Sequence, residues 1–239
     1  MKAREKRILP ALVPVLGIAA FGLRLWLYRT GIDSRGLLRP GQLPELLLWA
    51  AAALAVAAAL LVSFRDRGSA LWEENFAPSV AAAAGSIVAG LCLVLSVPGA
   101  WGGGMLMAVR KLLAAVASLA LVWMGICRFR GRRPFFAFPA AVTLYFAADI
   151  LSRYRAWSSE PVLQDYFFAV VAALALLLYA YQLTAMAVDI GKRRVLLGAG
   201  LVGSFACFAA AAHTDAALLN LACGIWLICD LPVWQRREG

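Results

Sequence analysis

Residues 43–64 read LPELLLWAAAALAVAAALLVSF, and Arg65-Asp66-Arg67 follows at once. Glu45 is the one charge in that run and stands near its start. An α-helix rises about 1.5 Å per residue, so some 20 apolar residues cross a hydrocarbon layer of about 30 Å. The stretch reads as a membrane-crossing helix. Pro44 and Glu45 suit its first turn, where a missing N–H costs nothing and an acid faces the positive helix end. The arginines suit the headgroup zone at its other end.

The same reading repeats along the chain. The candidate spans are Ile8–Tyr28, Leu43–Phe64, Phe76–Val97, Met105–Cys127, Pro134–Leu151, Pro161–Val188, Val195–Ala212 and Asp215–Trp234. Apolar residues make up 63% of the 239 and charged residues 15%, a balance a soluble fold cannot cover with polar surface. Pro134–Leu151 is short and carries Pro139, while Asp215–Trp234 is interrupted by Asp230 and Pro232, so the count is eight or seven. Irregular backbone is excluded from lipid, and no alternating strands of barrel type occur. The expected architecture is an all-α polytopic transmembrane bundle, one domain over residues 1–239. No gap is long enough for a separate soluble domain.

Lysines and arginines fall into alternate gaps. Lys2, Arg4, Lys6, Arg7, Arg65, Arg67, Arg128, Arg130, Arg132, Arg133, Lys192, Arg193, Arg194, Arg236 and Arg237 lie on one side of the eight-span arrangement. Arg29, Arg35, Arg39, Arg153 and Arg155 lie on the other, with Arg24, Arg110 and Lys111 near the outer ends of their spans. This asymmetry predicts cytoplasmic termini and a cell-membrane location. The net charge of +10 is spread over short segments unsuited to tracking a nucleic acid. Anionic lipid headgroups are the expected partner of clusters such as Arg128-Phe129-Arg130-Gly131-Arg132-Arg133. The charged N-terminus and Gly17-Ile18-Ala19 have some signal-peptide character. The apolar run continues to Trp26 and Tyr28, however, which favours a retained first helix.

No cofactor or metal is called for. The five cysteines form no Cys-x-x-Cys pair, and His213 is the sole histidine. No nucleophile elbow or phosphate loop appears, and Gly102-Gly103-Gly104 lacks the flanking strand and the Lys-Ser/Thr of one. Small residues at Ala81, Gly85 and Ala89, and at Ala199, Gly203, Cys207 and Ala211, recur every fourth position and suit close helix packing.

Charges inside or at the edge of a span are costly and draw attention. Glu45, Glu160 and Asp215 are explained as helix starts. Asp149, in the last turn of the fifth span, and Arg110 and Lys111, in the early turns of the fourth, oppose the helix dipole. Arg24 lies roughly 24 Å along the first span, at similar depth. Tyr145, Asp149 and Arg153 follow at i, i+4 and i+8 and stack on one face. Two readings stand: local ion pairing with snorkelling to headgroups, or a polar pocket open to the outside. In the second, Arg24, Arg110, Asp149, Arg153 and Tyr145 bind an anionic or zwitterionic solute, with Asp149 holding an arginine or the solute's amine. Tyr179, Tyr181, Gln182 and Asn220 line a path or pair helices. Asp189 and Asp230 are screened by nearby inner basic residues.

Residues 30–38, Thr30-Gly31-Ile32-Asp33-Ser34-Arg35-Gly36-Leu37-Leu38, and 154–161, Tyr154-Arg155-Ala156-Trp157-Ser158-Ser159-Glu160-Pro161, resemble outer segments of an uncharacterised family of bacterial polytopic integral membrane proteins. The resemblance covers two outer connections and implies no activity. Three functions remain: a small-solute transporter or membrane-embedded binding subunit, an accessory subunit contacting a membrane-protein partner, and an enzyme on lipid-linked substrates using Asp149 or His213.

Overall fold

A computed structural model describes residues 3–31, 41–66, 68–96, 105–157, 163–212 and 216–234, with side chains left out at 3–7, 106, 155–157, 163–165 and 234. The described residues form helices α1 (Ala3–Thr30), α2 (Leu43–Arg65), α3 (Trp72–Asn75), α4 (Val80–Leu95), α5 (Met105–Phe129), α6 (Ala137–Trp157), α7 (Leu163–Met186), α8 (Arg193–Ala211) and α9 (Ala217–Asp230), then a 3-10 turn at Pro232–Trp234. There are no strands among them.

Among the described residues, five helices are long and apolar enough to cross a membrane: Ile8–Thr30, Leu43–Arg65, Met107–Phe129, Tyr166–Met186 and Arg193–Ala211. The protein is a multi-pass integral membrane protein. On α5, Leu112, Val116, Leu119 and Trp123 form one exposed apolar face, while Ala114, Ala117, Ala120 and Met124 are buried behind it. Such a face belongs in lipid, because water would penalise its whole length. The apolar helices α4 and α9 are shorter, with 16 and 14 residues. The expected span from Phe76 loses its first turn because Pro78 precedes Ser79, whose side chain accepts the Ala82 N–H at 3.3 Å and starts α4 there.

Pro139, which with the shortness of its run puts the fifth span in question, sits in the first turn of α6, where proline removes no internal bond. The helix then runs past Leu151 to Trp157. Glu45 does act at the start of α2, accepting the Gly41 N–H at 2.9 Å. Asp33, Arg35, Glu160, His213 and Asp215 lie outside the described residues.

Packing follows a simple circuit. Helices α4, α5, α6, α7, α8 and α9 each pack on the next, and α9 returns to α4, closing a six-helix ring. The pair α1 and α2 packs outside this ring against α8. Helix α8 is consequently buried on nearly all sides, 15 of its 19 residues being inaccessible. Small residues make that possible: a Cβ at Gly203 would lie 2.9 Å from Leu227 and 3.1 Å from Ala175. Gly85 performs the same service between α4 and α9, with the Trp226 backbone 3.1 Å from its ideal Cβ position. Ala199, Cys207 and Ala211 are buried with Gly203, whereas Ala81 of the other ladder is exposed.

The chain alternates between two ends. Helices α2, α5 and α7 finish, and α4, α6 and α8 begin, at the end rich in arginine and lysine, the basic end, where α9 also finishes. The far end holds the start of α5 and the finish of α6 and α8.

Candidate functional site: a buried carboxylate between two arginines

Near the far end, Asp149 of α6 is buried with its carboxylate gripped from two helices. Arg153, one turn on, places Nε 2.7 Å from Oδ2. Arg110, from the second turn of α5, places Nη2 2.6 Å from Oδ1. The side chain of Asp149 is 4% exposed, that of Arg153 14% and that of Arg110 28%. The cluster thus grades from a dry carboxylate to a half-wet guanidinium. A buried carboxylate in a membrane protein is costly, and ionic partners lower that cost.

The reason for the arrangement differs from the helix-dipole argument. Because α6 continues to Trp157, Asp149 lies two turns before the helix end, beyond the reach of terminal partial charges. What holds it is the i, i+4 arginine and the facing α5. Tyr145 sits one turn deeper, 2% exposed, with its ring edge-on to Phe146 at 5.2 Å. Lys111 is half-buried next to Arg110 on α5.

Arg24 is held on a separate seam. Its Nη1 donates to the Ala209 carbonyl at 2.9 Å and its Nη2 to the Tyr28 hydroxyl at 2.7 Å. Its guanidinium carbon lies 5.3 Å from the ring centres of both Tyr28 and Phe168. Ala209 is in the last turn of α8, where carbonyls lack helical partners, so Arg24 caps α8 from α1. The structure therefore joins Arg110, Asp149 and Arg153 with Tyr145 beneath, and gives Arg24 a tie between α1, α7 and α8.

The basic end carries a second network. Arg128 and Asp230, read from sequence as headgroup and screened surface charges, are both buried. Arg128 donates from Nε to Asp230 Oδ1 at 2.7 Å, and the Tyr179 hydroxyl donates to Oδ2 at 3.0 Å. Arg128 also lies over the Phe76 ring at 4.1 Å and the Trp72 ring at 5.5 Å. Arg193 pairs with Asp66 at 2.6 Å and donates to the Asn75 side chain. Arg133 pairs with Asp189 at 2.7 Å, and Asp189 accepts the Trp72 N–H at 3.0 Å. Gln182 is buried and accepts the Lys192 N–H at 2.9 Å, and Asn220 is buried too, whereas Tyr181 is exposed.

Arg128 escaped the sequence reading because it stands among four arginines that share one orientation signal. The available clue was the complementary one: acids at Asp66, Asp189 and Asp230, each beside a basic segment.

No protein-family model, curated protein or solved structure matches the chain. The fold and its lipid-facing surface define an integral membrane protein, with buried charge at both ends of a helical ring.

Proposed function

We propose that this protein is a small-solute transporter or membrane-embedded binding subunit that takes an anionic or zwitterionic solute at Arg110, Asp149 and Arg153. Eight helices, α1, α2 and α4 to α9, cross the cell membrane, with the basic end and both termini cytoplasmic. The short helices α4 and α9 lie side by side in the ring, α4 flanked by α5 and α9 by α8. Exposed Arg130 and Arg132 meet anionic headgroups at the basic end.

One observation carries the solute reading: a nearly dry carboxylate is held by two guanidiniums, one of them 28% exposed. A solute carboxylate or phosphate matches the planar fork of Arg110, whose side chain is partly exposed. Asp149 keeps the arginines in place before the solute arrives, or takes the amine of a zwitterion.

Thermal unfolding of the detergent-purified protein with acetate, succinate, inorganic phosphate and glycine tests this. A solute that binds the folded state raises the midpoint as its concentration rises. The rise is expected to vanish in Arg110→Ala. Asp149→Asn separates the two solute classes, because a pure anion still binds and a zwitterion loses its ammonium partner. No response to any solute, together with one membrane protein retained through gentle extraction, would assign the chain to an accessory role.

A further inference from the structure

The connection between α2 and α4 crosses the ring. Helix α2 lies outside it against α8, and α4 lies within it beside α5. In the ring order, α5 and α8 stand three places apart, on opposite sides. Residues 68–79 run across the basic end of the ring, fixed to both sides of it. On the α8 side, Arg193 holds Asn75 and reaches Gly68, while Asp189 in the α7–α8 turn accepts the Trp72 N–H. On the α5 side, Ser79 N–H donates to the Arg128 carbonyl at 3.4 Å, and Pro78 packs on Gly131.

Three features distinguish this crossing from an ordinary loop. Trp72, Asn75 and Phe76 are buried in it, turned toward the ring, while Glu73 and Glu74 are exposed. Behind it lies a lock of polar groups, Arg128, Asp230 and Tyr179. Behind the lock, Trp226 is fully buried against the Tyr179 ring at 5.5 Å, and its indole N–H has no hydrogen-bond partner among the described residues. A buried donor without an acceptor gains one when water enters.

The fastening at Asp189 is also strained. Asp189 has φ 59°, in the left-handed region that glycine fills best. It ends α7 with Ile190 N–H donating to Ala185 O at 3.0 Å, a closure that favours glycine at this position. An aspartate there costs conformational energy, and what it adds is the carboxylate that binds Trp72 and Arg133.

We propose that residues 68–79 form a movable strap that opens and closes the basic mouth of the ring, fastened by Asp189 and backed by the Arg128–Asp230 lock. As a gate it rests on the solute-transport reading, since it governs passage from the Arg110 site; as a moving part it stands alone. Opening lifts Trp72 and Phe76 from Arg128 and admits water to Tyr179 and Trp226.

Asp189→Gly tests the strap without harming α7, because glycine suits the backbone and only the carboxylate is lost. The full-length protein in lipid nanodiscs is compared with the variant by hydrogen exchange and hydroxyl-radical footprinting, with no solute added. Amides of residues 72–79 are expected to exchange about tenfold faster, with α7 and α8 unchanged. Oxidation of Tyr179 and Trp226 is expected to rise several-fold, and that of Tyr145 to stay level. Unchanged strap exchange would overturn the proposal, and so would loosening that spreads into α7 and α8. A loose strap with Tyr179 and Trp226 still protected would reduce it to a tether. None of these readouts depends on a solute, so they fail separately from the midpoint shifts at Arg110.

Discussion

Arg128 and Asp230 stand 102 residues apart in the chain and meet inside the protein with Nε 2.7 Å from Oδ1. Their side chains are 3% and 2% exposed. The pair ties the end of α5 to the end of α9, and it shares Tyr179 of α7. Breaking such a pair from one side leaves a bare charge where no water reaches it.

Arg128→Met and Asp230→Leu alone should each destabilise the protein by about 3–5 kcal/mol, whereas the double replacement should recover most of that loss. Unfolding by denaturing detergent, read by tryptophan fluorescence, gives the three values. If the double variant is as unstable as the sum of the singles, the pair is not an isolated unit.

Arg24→Gln should lower the unfolding midpoint, by about 1–3 kcal/mol, because the Ala209 carbonyl loses its charged donor. Solute response at Arg110 should survive the change, given that Arg24 is held by α1, α7 and α8. Loss of binding with normal stability would place Arg24 in the solute site after all.

Two glycines separate packing from propensity. A Cβ at Gly125 would sit 2.8 Å from the Ala83 carbonyl and 2.7 Å from Ile87, whereas one at Gly22 meets nothing within 4 Å. Gly125→Ala should cost about 1–3 kcal/mol by pushing α4 from α5. Gly22→Ala should be neutral, or stabilising by up to about 1 kcal/mol through helix propensity. Paired melting curves decide it.

Asp189 sets a pH dependence. The Trp72 N–H, and after it Arg133, hold its carboxyl below the ordinary value of 3.8. A carboxyl lowered in the folded state stabilises above its unfolded value and loses that contribution as pH falls through the folded one. Asp189→Asn should therefore lag the natural protein by a constant margin from about pH 5 to 8, and the margin should close below 3.8. A margin that persists into stronger acid would trace the difference to the backbone.

Much of this was legible in the sequence because lipid imposes length. Helices α1, α2, α5 and α8 lie where uninterrupted apolar runs placed them, and Glu45 opens α2 as its position implied. The pairing of Asp149 with Arg153 followed from spacing alone, and the interest of Arg110 from its cost. What sequence withheld was contact between distant segments. Nothing in the run Arg128 to Arg133 marks the first arginine as buried and Arg130 as exposed. That distinction is made by Trp72 and Phe76, which arrive from another connection. Phe76 itself reads as the start of a span, since an aromatic before an apolar run looks the same whether it enters lipid or covers an arginine.

The central place of α8 has a consequence for how the chain is made. Synthesis delivers α1 and α2 first, yet the helix they chiefly pack against is the last of the long ones to leave the ribosome. The early hairpin must wait in the bilayer, held by its own lipid-facing leucines, until α8 emerges with its run of glycine and alanine. A chain halted after α7 would present a hairpin without its dock and an arc of helices without closure, a form that quality-control proteases recognise by its exposed seams.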